Sequence, residues 1–271
     1  EINDSFGKFN YGTYFTWTWN QNRIANLQFN NPQTGEVMDG NGMKVSEFGD
    51  NINAILYEGG TLGDVYVSTI KTDENGYYAL NSAGMIQKGE SMMYAGTTDA
   101  KHRLSWGGHL GWNGITASFL CTARLGGIVL SQTQAIMDWY GASKDSADLR
   151  EVGHLEFNGM KNTDIQGYYS VVGGQRIMSQ YVYDATNVRL AELSLGYDLP
   201  VSKWNCPWLK GLNVSVVGNN LAMLFLKAPF DPEMTSNVGT YNQGMDYFMQ
   251  PSTRSVGFSI KVKFGHESAA K

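Results

Sequence analysis

Hydrophobic and polar residues alternate one for one along much of this chain, in stretches of about ten, which is the period of a β-strand with two unlike faces. Over residues 103–112, Leu104, Trp106, Gly108, Leu110 and Trp112 share one face, and Arg103, Ser105, Gly107, His109 and Gly111 the other. Asn113-Gly114 follows, a dipeptide suited to the positive φ of a tight hairpin. The return stretch, 115–125, sets Ile115, Ala117, Phe119, Cys121, Ala123 and Leu125 against Thr116, Ser118, Leu120, Thr122 and Arg124. Residues 9–19, 190–199, 212–219 and 255–264 alternate in the same way. In 190–199 the pattern puts Leu190 beside Glu192 on the polar face. A seventh strand is expected around 65–70.

One wet face is common to many sheets, so three further features decide the setting. The apolar faces carry no Asp, Glu, Lys or Arg, whereas the opposite faces hold Arg103, Arg124, Glu192, Asp198, Lys261 and Lys263. Hydrocarbon enforces such segregation, since a mid-plane charge costs roughly 2–4 kcal/mol. The stretches match the roughly 9–11 residues a tilted strand needs to cross a bilayer. Connectors also alternate in length. Asn113-Gly114 and 200–210 are short, whereas 71–101, 127–186 and 223–252 are long. Short turns on the periplasmic side and long loops outside are the asymmetry of an outer-membrane barrel. That direction puts Trp19, Trp112, Tyr197 and Phe264 at one periplasmic rim. Seven strands leave two edges open, so the reading is a piece of a larger transmembrane antiparallel β-barrel.

Composition agrees. Among 271 residues, charged types reach only 17 %, aromatics 13 %, and Gly numbers 32 against 6 Pro, which suits strands and turns. The net charge of −5 leaves no basic footprint for nucleic acid. No apolar run approaches the roughly 20 residues of a membrane-spanning helix. The chain opens on Glu1 without a signal-peptide pattern, so such a segment is expected to be absent, removed or carried upstream. Cys121 and Cys206 are expected to be unpaired. Histidines 102, 109, 154 and 266 lack metal-ligand spacing, and Asp73-Glu74-Asn75-Gly76 reads as a surface turn rather than a calcium loop. Neither catalytic machinery nor a cofactor is expected.

The segment Tyr181-Val182-Tyr183-Asp184-Ala185-Thr186-Asn187-Val188-Arg189-Leu190-Ala191-Glu192-Leu193-Ser194-Leu195-Gly196-Tyr197-Asp198-Leu199-Pro200 resembles the closing strands of SusC/RagA-type TonB-dependent transporters of the Bacteroidetes. Arg124-Leu125-Gly126-Gly127, Asp138-Trp139-Tyr140-Gly141, Asn219-Asn220-Leu221, Phe230-Asp231-Pro232-Glu233 and the final 251–264 match in the expected order, and the resemblance covers nearly all of 6–264. It implies a 22-stranded barrel of the bacterial outer membrane, a plug in its lumen and an energising box, for the TonB complex, upstream of this chain. It also implies a SusD-like surface lipoprotein as lid, with oligosaccharide or oligopeptide as cargo. Residues 1–264 then form the C-terminal barrel segment. Family members usually stop at the final aromatic; here 265–271 follow as a short tail.

Two groups of residues are candidates for a site. Arg103, Arg124, Glu192, Lys261 and Lys263 are expected to line the lumen. Trp139, Tyr140, Tyr168, Tyr169, Tyr247 and Phe248 fall in the long loops, where flat rings stack on sugars and peptides. Competing readings are a soluble carbohydrate-binding β-sandwich and a passive porin or adhesin barrel.

Overall fold

The computed structural model describes residues 1–30, 33–204, 206–234, 236 and 243–265. The expected tail beyond 265, with His266, lies outside them. In chain order, β1 (Ile2–Phe6) and β2 (Phe9–Trp19) form a hairpin. A long excursion follows, with β3 (Gln28–Asn30), β4 (Val37–Asp39), β5 (Met43–Glu47), β6 (Ile52–Leu56), β7 (Asp64–Ile70) and β8 (Lys88–Thr97). The hairpin β9 (His102–Trp112) and β10 (Ile115–Leu125) comes next. A second excursion holds β11 (Ile128–Ser131), α1 (Gln132–Trp139), α2 (Lys144–Val152), β12 (Leu155–Phe157), β13 (Met160–Asn162), α3 (Ile165–Val172) and β14 (Val182–Asp184). The chain closes with β15 (Asn187–Leu199), β16 (Leu209–Leu226), β17 (Met245–Asp246) and β18 (Ser255–Phe264).

Seven strands make one antiparallel wall in the order β1-β2-β9-β10-β15-β16-β18. Opposed residues share a face, and the register aligns Ala117, Leu195, Val216 and Phe258 on one side and Ser118, Ser194, Val217 and Gly257 on the other. The apolar side is bare: Trp106, Leu110, Leu195 and Val256 are all exposed, and Phe258 reaches 83 %. A soluble protein would bury such a surface. An 11-residue strand such as β9 or β10 measures about 36 Å at roughly 3.3 Å per residue. Tilted by about 45°, it spans the roughly 25 Å apolar band of an outer-membrane barrel. The wall does not close; β1 and β18 are its edges.

All short connections lie at one end: Gly7-Lys8, Asn113-Gly114 and 200–208. Asn113 and Gly114 both take positive φ, 50° and 90°, as the expected turn requires. The long connections, 20–101, 126–186 and 227–254, all leave from the other end. On the polar side Gly107 lies under the Tyr14 ring, where a Cβ would come within 2.4 Å of ring atoms.

Three expectations change. The seventh wall strand is Ile2–Phe6; residues 65–70 are a strand too, but of the separate sheet β5-β6-β7-β8. The first long connection therefore begins at residue 20, not 71, and the third begins only after β16 ends at Leu226. Trp19 moves to the opposite rim, because β2 pairs directly with β9 and its register sets Phe9 against Trp112 and Trp19 against His102. With 65–70 outside the wall, β2 and β9 are neighbours and antiparallel, so β2 runs away from the short-turn rim. The short-turn rim is instead ringed by Phe6, Phe9, Trp112, Tyr197 and Phe264, with Trp208 stacked on Phe264 at 5.8 Å. Trp17 and Trp19 stand at the long-connection rim, so both interfaces carry aromatics.

The buried core sits among the long connections. Ile52, Val65, Val67 and Ile70 from the first pack with Leu130, Val172, Ile177 and Met178 from the second and Met245 from the third. β11 ties the set together, pairing antiparallel with β14 and parallel with β17. Ser68 bridges two connections, donating to the Arg176 carbonyl (3.0 Å) and accepting from the Met178 amide (3.1 Å).

Candidate functional site

All five lumen candidates fall on the polar side of the wall, in three belts rather than one site. Lys261 opposes Asn213 and Lys263 opposes Gly211, near the short-turn rim. They line a concavity of about 980 Å³ with Thr116, Ser118, Ser194 and Asp198. Glu192 lies mid-wall, opposite Leu120 and Asn219. Arg103 and Arg124 oppose each other near the long-connection end. Arg124 is buried, and its Nη2 donates to the Thr98 carbonyl (2.7 Å), so this residue anchors the first long connection to the wall.

Arg189 was missing from that set. A bulge at Ala191 breaks the alternation of β15: Glu192 opposes Leu120, but Leu190 opposes Cys121. Leu190 thus joins the apolar side and Arg189 turns to the polar side, opposite Thr122. The sequence carried a signal for this. Counting back by twos from Leu199 puts Arg189 on the apolar face, where hydrocarbon makes a charge costly; a bulge removes the conflict.

Arg189 clamps the third long connection to the rim. Its Nη2 donates to Asp231 Oδ1 at 2.7 Å and lies 3.5 Å from Glu233, with Arg189 and Asp231 side chains both about nine-tenths buried. Burial alone would raise the Asp231 pKa, but the Ser252 hydroxyl, the Glu233 amide and the Arg189 guanidinium together hold it below the usual carboxylate range. A second pair, Lys227 Nζ to Asp184 Oδ2 at 2.6 Å, is half-exposed and worth little by itself.

The six loop aromatics separate into two kinds. Tyr168 and Tyr169 pack into the loop core around α3, edge to face at 5.3 Å. Burial pushes the Tyr168 phenol up to about 12, so it stays protonated. Trp139 and Tyr140 are exposed and lie 4.8 Å apart at the end of α1. Tyr247 and Phe248 are exposed just past β17, with Phe48 6.0 Å from Tyr247. Those four rings are open to solvent, whereas Tyr169 is buried and Tyr168 partly so.

Asp138, buried in the last turn of α1, accepts from Gln134 Nε2 at 3.0 Å. Burial raises its pKa, more than the hydrogen bonds it receives lower it. A carboxyl with a raised folded-state value contributes stability at low pH that is lost as pH rises through that value. Asp138→Asn is therefore expected to raise the thermal midpoint at pH 8. The gain should fade as pH falls toward the ordinary carboxylate range near 4. Melting curves of the purified protein at pH 4 and 8 check this; an equal loss at both pH values contradicts it.

No family model matches the chain. Two curated proteins of Formosa agariphila are similar to it. TonB-dependent receptor P3 is 31 % identical over 147 residues, covering 52 % of this chain and 14 % of that protein. TonB-dependent receptor P26 is 29 % identical over 90 residues, covering 32 % and 9 %. The chain thus spans a small part of the relatives it matches. Among solved structures, that of the RagAB peptide transporter aligns at TM-score 0.54 and 12 % identity, covering 96 % of this chain and 28 % of that one. The RagAB peptide importer in its open-open state aligns at TM-score 0.57 and 12 % identity, covering 96 % and 27 %.

Proposed function

We propose that this chain, a wall segment of a SusC/RagA-type TonB-dependent transporter of the bacterial outer membrane, serves in the energised import of an oligomeric nutrient. The observation that carries the reading is the wall itself. Its apolar side carries a single acidic residue, Asp4 opposite Tyr11 on the edge strand, its polar side holds Arg103, Arg189, Glu192, Lys261 and Lys263, and its long connections pack into one body at a single end. In this reading the two open edges pair with further strands of a plugged, 22-stranded barrel, since unpaired edges are not tolerated in hydrocarbon. Residues 71–101, 127–186 and 227–252 then lie outside the cell, within the long connections, whereas 223–226 stay in β16. A SusD-like lipoprotein covers them, and the TonB complex drives release into the periplasm.

The cargo we carry forward is an oligopeptide, the class named for the RagAB structures. An oligosaccharide is the second reading, favoured by the exposed Trp139–Tyr140 pair, since sugars stack on such rings. Uptake of labelled oligopeptides and oligosaccharides by cells with and without the intact protein tests the assignment. Loss of uptake on deletion, and on collapse of the proton gradient, is expected. Uptake indifferent to both would overturn it.

A further inference from the structure

A pocket of about 250 Å³ opens at the long-connection rim, between α1, β17 and residues 229–234. Met137, Met234, Met249 and Phe230 form its walls, and Asp231 and Asp246 supply its charges. We infer that it holds the cationic side chain of a lysine or arginine in the cargo, an inference that rests on the peptide-importer reading.

The two carboxylates differ in what they have left to offer. Asp231 is committed: Oδ1 accepts from Arg189 and from the Glu233 amide, and Oδ2 from Ser252. Asp246 is not. Its Oδ2 accepts the Ser131 hydroxyl at 2.7 Å, but its Oδ1 has no partner among the described residues, although the residue is only 8 % exposed. The Ser131 hydroxyl is itself fixed, because it also accepts from the Gln134 amide (3.0 Å) as the N-cap of α1. The Asp246 charge thus faces only the Ser131 hydroxyl, and no Lys, Arg or His among the described residues lines the pocket to pair with it.

The walls narrow the choice of donor. Methionine thioethers are polarisable and adapt to an alkyl stem, and a cation beside Phe230 gains from the ring face. Lysine and arginine combine such a stem with a charged head. An acidic side chain would meet two carboxylates, and a neutral one would leave Oδ1 unanswered. The volume lies below the roughly 300–1,000 Å³ of pockets that enclose a whole drug-sized ligand, so it suits one side chain. The pocket sits beside the polar-side Arg189, where cargo entering the lumen would pass.

The test uses the intact detergent-purified protein and the pentapeptides Ala-Ala-Lys-Ala-Ala and Ala-Ala-norleucine-Ala-Ala, with calorimetry as the readout. The lysine peptide is expected to bind at least tenfold tighter, and Asp246→Asn, which keeps the acceptor for Ser131, should remove that preference. Equal binding of the two peptides by the native protein overturns the inference, and this comparison needs no variant. Failure of both peptides to bind overturns it too. A preference that survives Asp246→Asn assigns the cation to another site. If Asp246→Asn instead loosens a protein partner while peptide preference is untouched, the pocket holds a partner's basic side chain and the cargo assignment is wrong. The importer reading fails separately, by absence of the protein from the outer-membrane fraction.

Discussion

Leu193→Arg is expected to cost the wall about 2–4 kcal/mol, the penalty for a cation at the middle of a barrel's lipid face, whereas Ser194→Arg should cost close to nothing. The two positions are adjacent in β15 and differ only in face. Leu193 opposes Phe119 and Gly218 midway between the rims, on the exposed apolar side. Ser194 opposes Ser118 and Val217 and lines the polar concavity. Unfolding midpoints in detergent, with yield in the outer-membrane fraction, measure the difference. Equal costs at the two positions would mean that both faces see the same solvent, as no barrel wall does.

The Arg189 clamp gives the second large effect. Arg189→Met leaves Asp231 buried without its cation, and breaking a buried pair from one side costs about 3–5 kcal/mol. Most of that loss should fall on the 227–254 connection, which Asp231 and Ser252 hold against the rim. Hydrogen exchange should therefore rise there and stay unchanged in β9 and β10. The pH dependence has a definite sign. Asp231 is held below its ordinary range, so the clamp's contribution is present above the unfolded-state value and is lost only as pH falls through the lowered one. In the native protein the connection should stay attached through mildly acid pH and open below it. Uniform exchange across the chain in Arg189→Met would show that the clamp is not local.

Local pattern was legible from the residues; connectivity was not. Alternation found β2, β9, β10, β15, β16 and β18, and Asn113-Gly114 fixed one hairpin and its register. The same alternation in residues 65–70 belongs to a sheet in the loop body, because a strand period says which face is apolar but not which strand comes next. That one misplaced strand carried Trp19 to the wrong rim. Ile2–Phe6 escaped notice because its five residues are too few to display a pattern. The bulge at Ala191 left one trace, Arg189 falling on the apolar parity of β15, but its position follows from pairing with β10, which no single strand records. At the candidate site, the lumen charges were readable from parity. Exposure of the loop aromatics was not, since Tyr169 and Tyr140 differ in tertiary packing rather than in local sequence.

The most direct test of the wall's two-faced setting is a nitroxide scan of positions 193–198. It requires the intact protein in outer membranes, with Cys121→Ala, Cys206→Ala and any cysteine outside this chain replaced, to leave no other thiol. Positions 193, 195 and 197 are expected to be relaxed by oxygen dissolved in hydrocarbon, and 194, 196 and 198 to be shielded from it, in strict alternation. Equal access of a water-soluble nickel reagent to 193, 195 and 197 would contradict the account, because it would place the apolar face in water.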